Sequence, residues 1–471
     1  MITSATMDGA SPPAPTGAAQ LASVLLASDQ LTVSAAGVLH IDGWAAPDLL
    51  VRFGSPLNVI VERTLCDNFH RITAAFATRW PAPVRILYSI KANNTLAIRA
   101  ILSREGAGSD CFGLGELQAT LRGGTDPALV AINGSDKSPA EVRAAVEAGV
   151  TLNIDGVDEL GAIADACRAG HRARVNLRLK LLPPALDDYI DALHPTPGGF
   201  VEGVRRVKWG FSIEAAIQLV RALLAMPEVD LLGYSCHIGH LSSHKEASAV
   251  IAAAMGEAVG VIGAATGFWP TVLDLGGGWA PERDPSFRRA GLVDIPIEQT
   301  AQATADALRA ALPAGMAQPA LWIEPGRFIV SNAVLLLARV GAVKRDAGLC
   351  WMHLDASTNN LPRIESGRFH YTILPASRMH DPAGTVLDVV GGTCFRSVLG
   401  AARAWPAPRR GDVAAILDAG MYAEVFANQF NSVPRPATIL LSTHGAEVVR
   451  VRETIDDVFR QQRMPAWLSP A

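Results

Sequence analysis

Tyr88-Ser89-Ile90-Lys91-Ala92-Asn93 is the stretch around which the rest of the chain can be interpreted. The apolar run 84–87 before it is typical of a buried parallel strand, and residues 95–103 after it have apolar positions at helical spacing. Lys91 therefore lies where a strand ends and a helix begins. Two interpretations stay open here: a lysine that snorkels or pairs with a carboxylate, or an amine kept neutral by burial that forms an imine with a carbonyl group.

The composition is typical of a well-buried globular enzyme. The chain has 471 residues, of which 49% are hydrophobic and 18% charged, and this length suggests two domains. A formal net charge of −4 without a Lys/Arg block argues against a nucleic-acid partner. The six cysteines are scattered and form no C-x-x-C pair, which favours reduced thiols in a cytoplasmic protein.

No membrane partner is expected from the sequence. The apolar run at 335–337 is far below the roughly 20 residues that a spanning helix needs. The first 20 residues lack the basic start of a signal peptide and contain Pro12, Pro13 and Pro15. A disordered tail is therefore predicted over residues 1–30.

From residue 84 onward, strand-like runs alternate with Ala-rich helical stretches. The predicted strands are 84–90, 107–111, 128–132, 150–154, 173–179, 231–237, 272–275 and 321–323. This alternation is typical of a (β/α)8 barrel of the TIM type, although a doubly wound open sheet would show the same period. Residues 180–212, rich in proline and glycine, are predicted as an irregular loop at the rim.

After residue 333 the predicted strands follow one another without long helices. They are 333–343, 349–355, 385–390, 413–417, 438–441 and 447–451, which indicate a mostly antiparallel β domain. A strand near 33–41 is a candidate member of the same domain. The predicted division is a barrel over 54–332 and a β-rich domain built from 31–53 and 333–471.

Residues able to carry chemistry end five of the predicted barrel strands. They are Lys91, Asp110, His237, the run Gly276-Gly277-Gly278, and Glu324. Because the chemistry of such barrels lies at the C-terminal ends of the strands, these residues should converge. Consecutive glycines suit a phosphate, and a lysine with an acid for a ring nitrogen suits pyridoxal phosphate. Each residue also has an ordinary explanation: a salt bridge, a tight turn or a structural histidine.

A set of motifs resembles the fold-type III pyridoxal-phosphate enzymes, specifically the diaminopimelate/ornithine decarboxylase family. In the family's order they are Tyr88–Asn93, Gly113–Leu117 after Ser109-Asp110, Lys208–Phe211, His237-Ile238-Gly239, Asp274–Gly278, Glu324–Arg327, Gly391–Cys394, Gly420–Tyr422 and Phe430-Asn431. The resemblance implies an alanine racemase-like barrel with a β domain, pyridoxal 5'-phosphate as cofactor and amino-acid decarboxylation as the reaction.

The resemblance also implies roles in binding the cofactor. Lys91 should hold it as an imine, with Asp110 in the same site. His237 should stack on the ring, and Glu324 should keep the ring nitrogen protonated. The phosphate should be bound by Gly276, Gly277 and Gly278, by the backbone of Gly326 and Arg327, and by the Tyr422 hydroxyl.

Family members form head-to-tail homodimers with shared sites, so Cys394 is expected to enter the partner's site. There it is the candidate for returning a proton after CO2 leaves, which makes Lys91, His237 and Cys394 the expected catalytic set. Arg327 is also a candidate for binding a substrate carboxylate. No metal is expected at such a site.

The chain departs from the family pattern around the substrate. Phe395 and then Arg396 follow Cys394, where the family usually has an acidic residue that selects the substrate's distal amine. His240 stands at the place of a phosphate-binding serine, and 361–365, which contains Arg363, replaces an Arg-Pro-x-Leu-Tyr segment. The expected substrate-binding set is Arg327, Arg363, Phe395 and Arg396, and the expected distal group is acidic or uncharged.

Three other functions remain open at this point. The first is an amino-acid racemase on the same scaffold, although such racemases typically use a tyrosine on the second face of the cofactor, whereas Cys394 lies in a decarboxylase-like context. The second is a metal-dependent barrel hydrolase with His237, His240 and His244 as ligands. The third is a non-catalytic relative that regulates a true decarboxylase.

Overall fold

The computed structural model describes residues 15–188, 198–237, 239, 245–286, 295–366 and 369–468. The described chain opens with α1 (Gly17–Val24), a small antiparallel sheet of β1 (Leu31–Val33), β2 (Leu39–Ile41) and β3 (Trp44–Ala45), and then α2 (Ala46–Phe53). The predicted tail is therefore wrong for residues 15–30, whereas residues 1–14 lie outside the described part. The hydroxyl of Thr16 caps α1, and Leu21 is buried against distant residues of the β domain, which sequence patterns do not reveal.

Within the described residues, eight parallel strands form a closed barrel. After β4 (Leu57–Val61) and α3 (Glu62–Ala77), they are β5 (Val84–Ser89), β6 (Gly108–Phe112), β7 (Val130–Asn133), β8 (Thr151–Ile154), β9 (Ala173–Arg178), β10 (Val229–Ser235), β11 (Val272–Asp274) and β12 (Ala320–Ile323). The register Leu321–Val84 between β12 and β5 closes the barrel. The barrel prediction is confirmed, and an open sheet is excluded.

The helices that surround the barrel follow the predicted alternation. They are α4 (Leu96–Arg104), α5 (Gly113–Arg122), α6 (Pro139–Ala148), α7 (Glu159–Cys167), α8 (Phe200–Arg206), α9 (Ile213–Leu224), α10 (Lys245–Thr266), α11 (Ile297–Ala311) and the short α12 (Arg327–Val330). Helix α8 lies in the region predicted to be irregular.

Among the described residues, Glu246–Thr266 of α10 is long and apolar enough to cross a membrane, with a mean hydropathy of 1.7. In the structure α10 packs against α9 and α11, so its apolar side has a partner within the barrel's outer layer.

The described C-terminal region forms a nine-stranded sheet together with β4. Its strands are β13 (Val334–Asp346), β14 (Leu349–Leu354), β15 (Ile373–Leu374), β16 (Thr385–Gly391), β17 (Val398–Trp405), β18 (Val413–Ile416), β19 (Ala437–Ser442) and β20 (Gly445–Arg450), followed by α13 (Ile455–Phe459). Most pairings are antiparallel, as predicted. Strand β17 escaped prediction because Gly400, Ala401 and Ala402 lower its strand propensity.

Strand β4 belongs to this sheet although it precedes the barrel in the chain. It pairs antiparallel with β13 and parallel with β19, and all five of its residues are buried. The sheet of β1–β3 is separate, but Leu39 and Ile41 pack into the same core as β4. The barrel is therefore an insertion into the β domain, and it begins after β4 rather than at residue 54.

Candidate active site

Lys91 lies in a single 3-10 turn, Ile90–Ala92, directly after β5. Its Nζ donates a hydrogen bond to Asp110 Oδ2 at the end of β6 over 2.8 Å. Burial opposes the charge of the ammonium, but Asp110 and Glu324 outweigh this effect and raise the pKa of Lys91. Lys91 thus pairs with a carboxylate and is charged, and the hypothesis of an amine kept neutral by burial is wrong for this arrangement.

Asp110 is buried and held from three sides. Ser89 Oγ donates to Oδ2 over 2.6 Å, and Asn133 Nδ2 donates to Oδ1 over 2.8 Å, in addition to the bond from Lys91. Burial alone would raise the pKa of Asp110, but the positive charge of Lys91 and these hydrogen bonds lower it. Asp110 is therefore an anion that positions the Lys91 amine.

Asn133 connects Asp110 to Glu324. Its Nδ2 also donates to Glu324 Oε1 over 2.8 Å, so one amide group holds both carboxyl groups. Asn153 on β8 donates to Asn133 Oδ1 over 3.0 Å, and Asn176 on β9 donates to Asn153 Oδ1 over 3.2 Å. A row of asparagines on three consecutive strands thus fixes the orientation of the amide that contacts the site.

Glu324 follows β12 and is almost fully buried. Its burial, together with the negative charges of Asp110 and Asp274, raises the pKa of Glu324 well above its usual value. The same kind of environment raises the pKa of Asp274 to about 7, with burial as the main cause. The barrel end therefore holds more carboxyl groups than its ammonium group can neutralise.

His237 follows β10 and is neutral. Its Nδ1 accepts a hydrogen bond from the Gly277 N–H over 2.9 Å, which leaves the proton of the ring on Nε2. Burial and the positive charges of Lys91 and Arg178 lower the pKa of His237 to about 3. The imidazole therefore offers an uncharged flat face.

The three glycines after β11 are engaged differently from the prediction. The N–H of Gly276 donates to Asp274 Oδ1 over 2.8 Å, and that of Gly277 donates to His237, so neither is available to a phosphate. A Cβ on Gly277 would lie 2.7 Å from the Glu324 carbonyl oxygen, and one on Gly276 would lie 2.3 Å from that of Cys236. Gly276 and Gly277 thus allow the ends of β10, β11 and β12 to approach one another closely. Gly278, the next residue, lines the smaller cavity.

Arg327 begins the short helix α12. Its Nη1 lies 3.3 Å from Asp284 Oδ2, and its Nη2 donates to the carbonyl oxygen of Gly278 over 3.3 Å. Gly326 precedes it, and a Cβ there would meet the Cβ of Ala92 at 2.9 Å. Tyr422 comes from the β domain and is fastened by its N–H, which donates to the Ala92 carbonyl oxygen over 2.9 Å. Both domains therefore contribute to the same cavity.

Arg363 lies among three aromatic rings. Its guanidinium carbon is 5.0 Å from the ring centre of Phe369, 5.7 Å from that of Tyr422 and 5.6 Å from that of Phe426. These distances are within the range of cation–π attraction, which orients the guanidinium without consuming its N–H donors. Among the described residues, no carboxylate pairs with this side chain.

Two adjoining cavities meet at Lys91, His237, Gly239 and Glu324. The first has a volume of about 330 Å³ and is also lined by Gly277, Gly278, Gly326, Arg327, Arg363 and Tyr422. The second has a volume of about 560 Å³ and is mainly apolar, with Phe112, Phe200, Val204, Val207 and Trp209 in its wall. The predicted cofactor residues therefore converge on one cleft at the C-terminal end of the barrel.

Cys394, Phe395 and Arg396 do not line either cavity of the described chain. They follow β16 in the β domain. Asn431 Oδ1 accepts a hydrogen bond from the Cys394 N–H over 2.9 Å, and Phe395 packs edge-on against Phe430. Cys394 and Phe395 are exposed. In a single chain these residues are therefore no part of either described cavity wall, and entry of Cys394 into a partner's site stays a prediction.

Three residues of the predicted motifs lie outside the part of the chain that the structure describes. Ile238, His240 and His244 lie outside the described residues, so the phosphate contact at residue 240 and the three-histidine hypothesis remain predictions. Within the described ranges, no group of three His, Cys, Asp or Glu side chains is arranged to hold a metal ion.

Asn133 is the main site residue that the sequence analysis missed. It is the last residue of β7, and the rule that located Lys91 and Asp110 at strand ends would also have found it. Asp284 and Phe369 carried no such signal, because they lie on irregular segments whose position depends on contacts between the domains.

Two family matches cover most of the chain. Residues 63–331 match the pyridoxal binding domain of the pyridoxal-dependent decarboxylases, and residues 250–420 match the C-terminal sheet domain of pyridoxal-dependent decarboxylases. The two matches overlap at the end of the barrel and together reach from α3 to β18.

Individual relatives agree with these matches. The diaminopimelate decarboxylase of Methanothermobacter thermautotrophicus is 30% identical over 444 residues, which cover 93% of this chain and 98% of the relative. That of Archaeoglobus fulgidus is 30% identical over 445 residues, covering 92% and 98%. The crystal structure of diaminopimelate decarboxylase from M. jannaschii in complex with L-lysine is similar with a TM-score of 0.85 and 26% identity, over 94% of this chain and 100% of the other.

Proposed function

Because this chain belongs to the pyridoxal-dependent decarboxylase family, and is thereby an amino-acid carboxy-lyase that uses pyridoxal phosphate, we propose that its substrate is an amino acid with an anionic distal group. The observation that carries this proposal is Arg363, which lines the same cavity as Lys91 and has no carboxylate partner among the described residues. A guanidinium oriented by aromatic rings is a suitable receptor for a carboxylate or phosphate.

The residues of the cleft fit pyridoxal phosphate on three grounds. The excess of carboxyl groups around Glu324 favours a further positive charge there, such as a protonated ring nitrogen. The neutral His237 offers a flat face for an aromatic ring. Gly277, Gly278 and Gly326 line the smaller cavity, and since they lack side chains a bound group can approach their backbone closely.

The likeness of these residues to the family motifs supports a role for each of them. Lys91 would hold the cofactor through its amine, Asp110 would orient that amine, and Glu324 would keep the ring nitrogen protonated. The phosphate would lie near Gly278, Gly326, Arg327 and Tyr422, which line the smaller cavity together. When bound, pyridoxal phosphate would supply an aldehyde for the substrate amine and an electron-withdrawing ring that stabilises the electron pair left at Cα when CO2 departs.

The remaining steps need a proton at the reacting carbon and exclusion of water. We assign the return of this proton to Cys394 of the partner in a cytoplasmic head-to-tail homodimer. Support comes from the exposure of Cys394 and Phe395 in the single chain and from their absence from the lining of either cavity of the described residues. An exposed phenylalanine beside an exposed thiol is more favourable when a second subunit covers it.

Three amino acids with related skeletons test the distal-group proposal. Diaminopimelate has a distal amine and a distal carboxylate, 2-aminopimelate has only the carboxylate, and lysine has only the amine. We expect CO2 release from 2-aminopimelate with a kcat/KM at least equal to that of diaminopimelate and at least about tenfold above that of lysine, since one charge-assisted hydrogen bond contributes about 1.5–3 kcal/mol. A kcat/KM for lysine equal to that for 2-aminopimelate would refute the proposal that the substrate has an anionic distal group.

The variant Arg363→Met provides the residue-level control. It should raise KM for 2-aminopimelate about tenfold or more while leaving kcat/KM for lysine within about twofold, because lysine offers no distal anion. Incorporation of solvent deuterium at Cα without CO2 release would favour the racemase instead. Retained CO2 release with unchanged KM in the variant would assign anion recognition to another residue.

A further inference from the structure

A fully buried ion triad connects the N-terminal segment to both domains. Arg283, 2% exposed, follows the glycine loop of the barrel and pairs with Asp29 from the N-terminal segment and Asp418 from the β domain. Its Nη1 and Nη2 donate to Asp29 over 2.6 and 3.1 Å, and its Nε and Nη2 donate to Asp418 over 2.6 and 2.9 Å. Since Nη1 also donates to the Val24 carbonyl oxygen over 2.7 Å, all five N–H groups of Arg283 are used.

Two series of contacts, which we call routes, connect this triad to Arg327 in the active site. The first passes through Asp284, the residue next to Arg283. Asp284 is 1% exposed, and its Oδ2 lies 3.3 Å from Nη1 of Arg327. Its Oδ1 accepts hydrogen bonds from the N–H and hydroxyl of Ser286 over 2.8 and 2.6 Å, which leaves Oδ2 directed at the arginine. Because Asp284 is the next residue in the chain, the ion pairs of Arg283 with Asp29 and Asp418 restrict the position of the Asp284 carboxylate.

The second route reaches the helix that carries Arg327. Asp29 Oδ1 accepts a hydrogen bond from Asn332 Nδ2 over 2.8 Å, and Asn332 Oδ1 accepts one from Asn68 Nδ2 over 2.8 Å. The same Nδ2 of Asn68 donates to the carbonyl oxygen of Ile329 in α12 over 3.0 Å. This series of hydrogen bonds therefore ends at Ile329, which lies two residues after Arg327 in helix α12.

From these two routes we infer that Asp29 is a positioning residue for Arg327, and that residues 15–30 thereby form part of the anion-binding apparatus. The inference rests on the proposed phosphate site, in which Arg327 takes part. Asp29 contacts both routes, since it binds Arg283 with both oxygens and Asn332 with one of them. The Leu26 N–H also donates to Asp29 Oδ2 over 2.8 Å, so each oxygen of this buried carboxylate accepts two hydrogen bonds, and an amide in its place would set a donor against another donor.

Comparing two ligands separates positioning of Arg327 from general stability. Pyridoxal phosphate and pyridoxal share the ring and aldehyde, but only the first carries the phosphate. In the full-length protein stripped of cofactor, we expect the wild type to bind pyridoxal phosphate much more tightly than pyridoxal, as measured by absorbance titration. Asp29→Asn should weaken pyridoxal phosphate binding about tenfold or more and pyridoxal binding by less than about twofold.

Asp412→Asn is the matched control. Asp412 pairs with Arg378 at the opposite end of β18 from Asp418, so its loss also breaks an ion pair of the β domain. It should change neither dissociation constant. If Asp29→Asn does not yield folded protein, Asp284→Asn tests the same route next to Arg327 and should show the same selective loss.

The possible outcomes distinguish the two proposals. A folded Asp29→Asn protein that keeps the wild-type preference for the phosphate, or that loses both ligands equally, overturns the inference while leaving the phosphate site intact. A wild-type protein that binds both ligands equally overturns the proposed phosphate site and this inference with it.

Discussion

At the residue scale, the protonation of each group in the cleft depends on its neighbours more than on its type. His237 is kept neutral because desolvation and the positive charges of Lys91 and Arg178 disfavour its protonation, and its pKa falls to about 3. Lys91 lines the same cavities, yet its pKa rises because the negative charges of Asp110 and Glu324 outweigh its desolvation. Two basic side chains at one barrel end thus have different charge states: Lys91 is a cation and His237 is a neutral ring.

The low pKa of His237 predicts a measurable dependence of stability on pH. Between about pH 6.5 and 3 the unfolded chain binds a proton at this imidazole and the folded chain does not, so the free energy of unfolding should fall as the pH is lowered. One such proton corresponds to a slope of about 1.4 kcal/mol per pH unit well below pH 6.5.

The variant His237→Asn isolates this proton, because the Asn oxygen can still accept from the Gly277 N–H. Urea unfolding of the cofactor-free proteins from pH 8 to pH 5 should show a steeper loss of stability for the wild type, with the difference appearing only below about pH 6.5. Parallel curves for the two proteins would contradict a neutral, buried His237.

At the element scale, the ends of the barrel strands are held together by backbone approaches that only glycine permits. The φ angle of Gly277 is not positive, so other residues could adopt its backbone conformation. Glycine is needed at this position because there is no space for a side chain. A Cβ there would stand 2.7 Å from the Glu324 carbonyl oxygen and 3.1 Å from Cε1 of His237. The glycine loop therefore sets the distance between β10, β11 and β12.

Substituting Gly277→Ala should push the end of β12 away from the end of β10. We expect the free energy of unfolding to drop by about 1–3 kcal/mol, as for other overpacked sites, and the bound cofactor to fall about tenfold or more. Cofactor content is measured from the visible absorbance at equal protein concentration, and stability is measured by urea unfolding.

Gly115→Ala is the control for this experiment. Gly115 lies in α5, and no atom would come within 4 Å of an added Cβ. This change should leave cofactor binding unaltered and stabilise the helix by up to about 1 kcal/mol. Equal effects of the two substitutions would show that close packing at the glycine loop is not the reason for Gly277.

At the scale of the whole molecule, the active cleft is assembled from segments far apart in the chain. Tyr422 and Arg363 come from the β domain, whereas Lys91 and His237 come from the barrel. Strand β4 and the N-terminal segment tie the domains together on the side of the sheet. Of the predicted catalytic set, Cys394 is exposed and lines neither of the two described cavities, whereas Lys91 and His237 line both.

Mixing two inactive variants tests whether this loop completes a neighbouring subunit. Lys91→Ala and Cys394→Ala should each be inactive in decarboxylation, but a refolded equimolar mixture should regain about a quarter of the wild-type rate, because half the dimers then contain one intact site. The control pairs Lys91→Ala with His237→Ala, which belong to the same cleft and should give no recovery. Absence of recovery in the first mixture would contradict a shared site.

Local sequence patterns were enough to predict the barrel, the order of its strands and the convergence of Lys91, Asp110, His237 and Glu324. These follow from local patterns, since each strand is an apolar run and parallel strands bring their C-terminal ends to one face. The motif order likewise indicated the cofactor before any contact was known.

Features that depend on neighbours distant in the chain could not be predicted from local patterns and became visible in the folded chain. Strand β4 pairs with residues about 280 and 380 positions away, so its hydrophobic pattern alone could not assign it to a sheet. The charge of Lys91 depends on its distance to Asp110 and Glu324, and the N–H groups of Gly276 and Gly277 proved to serve the protein rather than a phosphate. The order of residues 15–30 likewise comes from Asp29 meeting Arg283, a contact between segments that no local pattern relates.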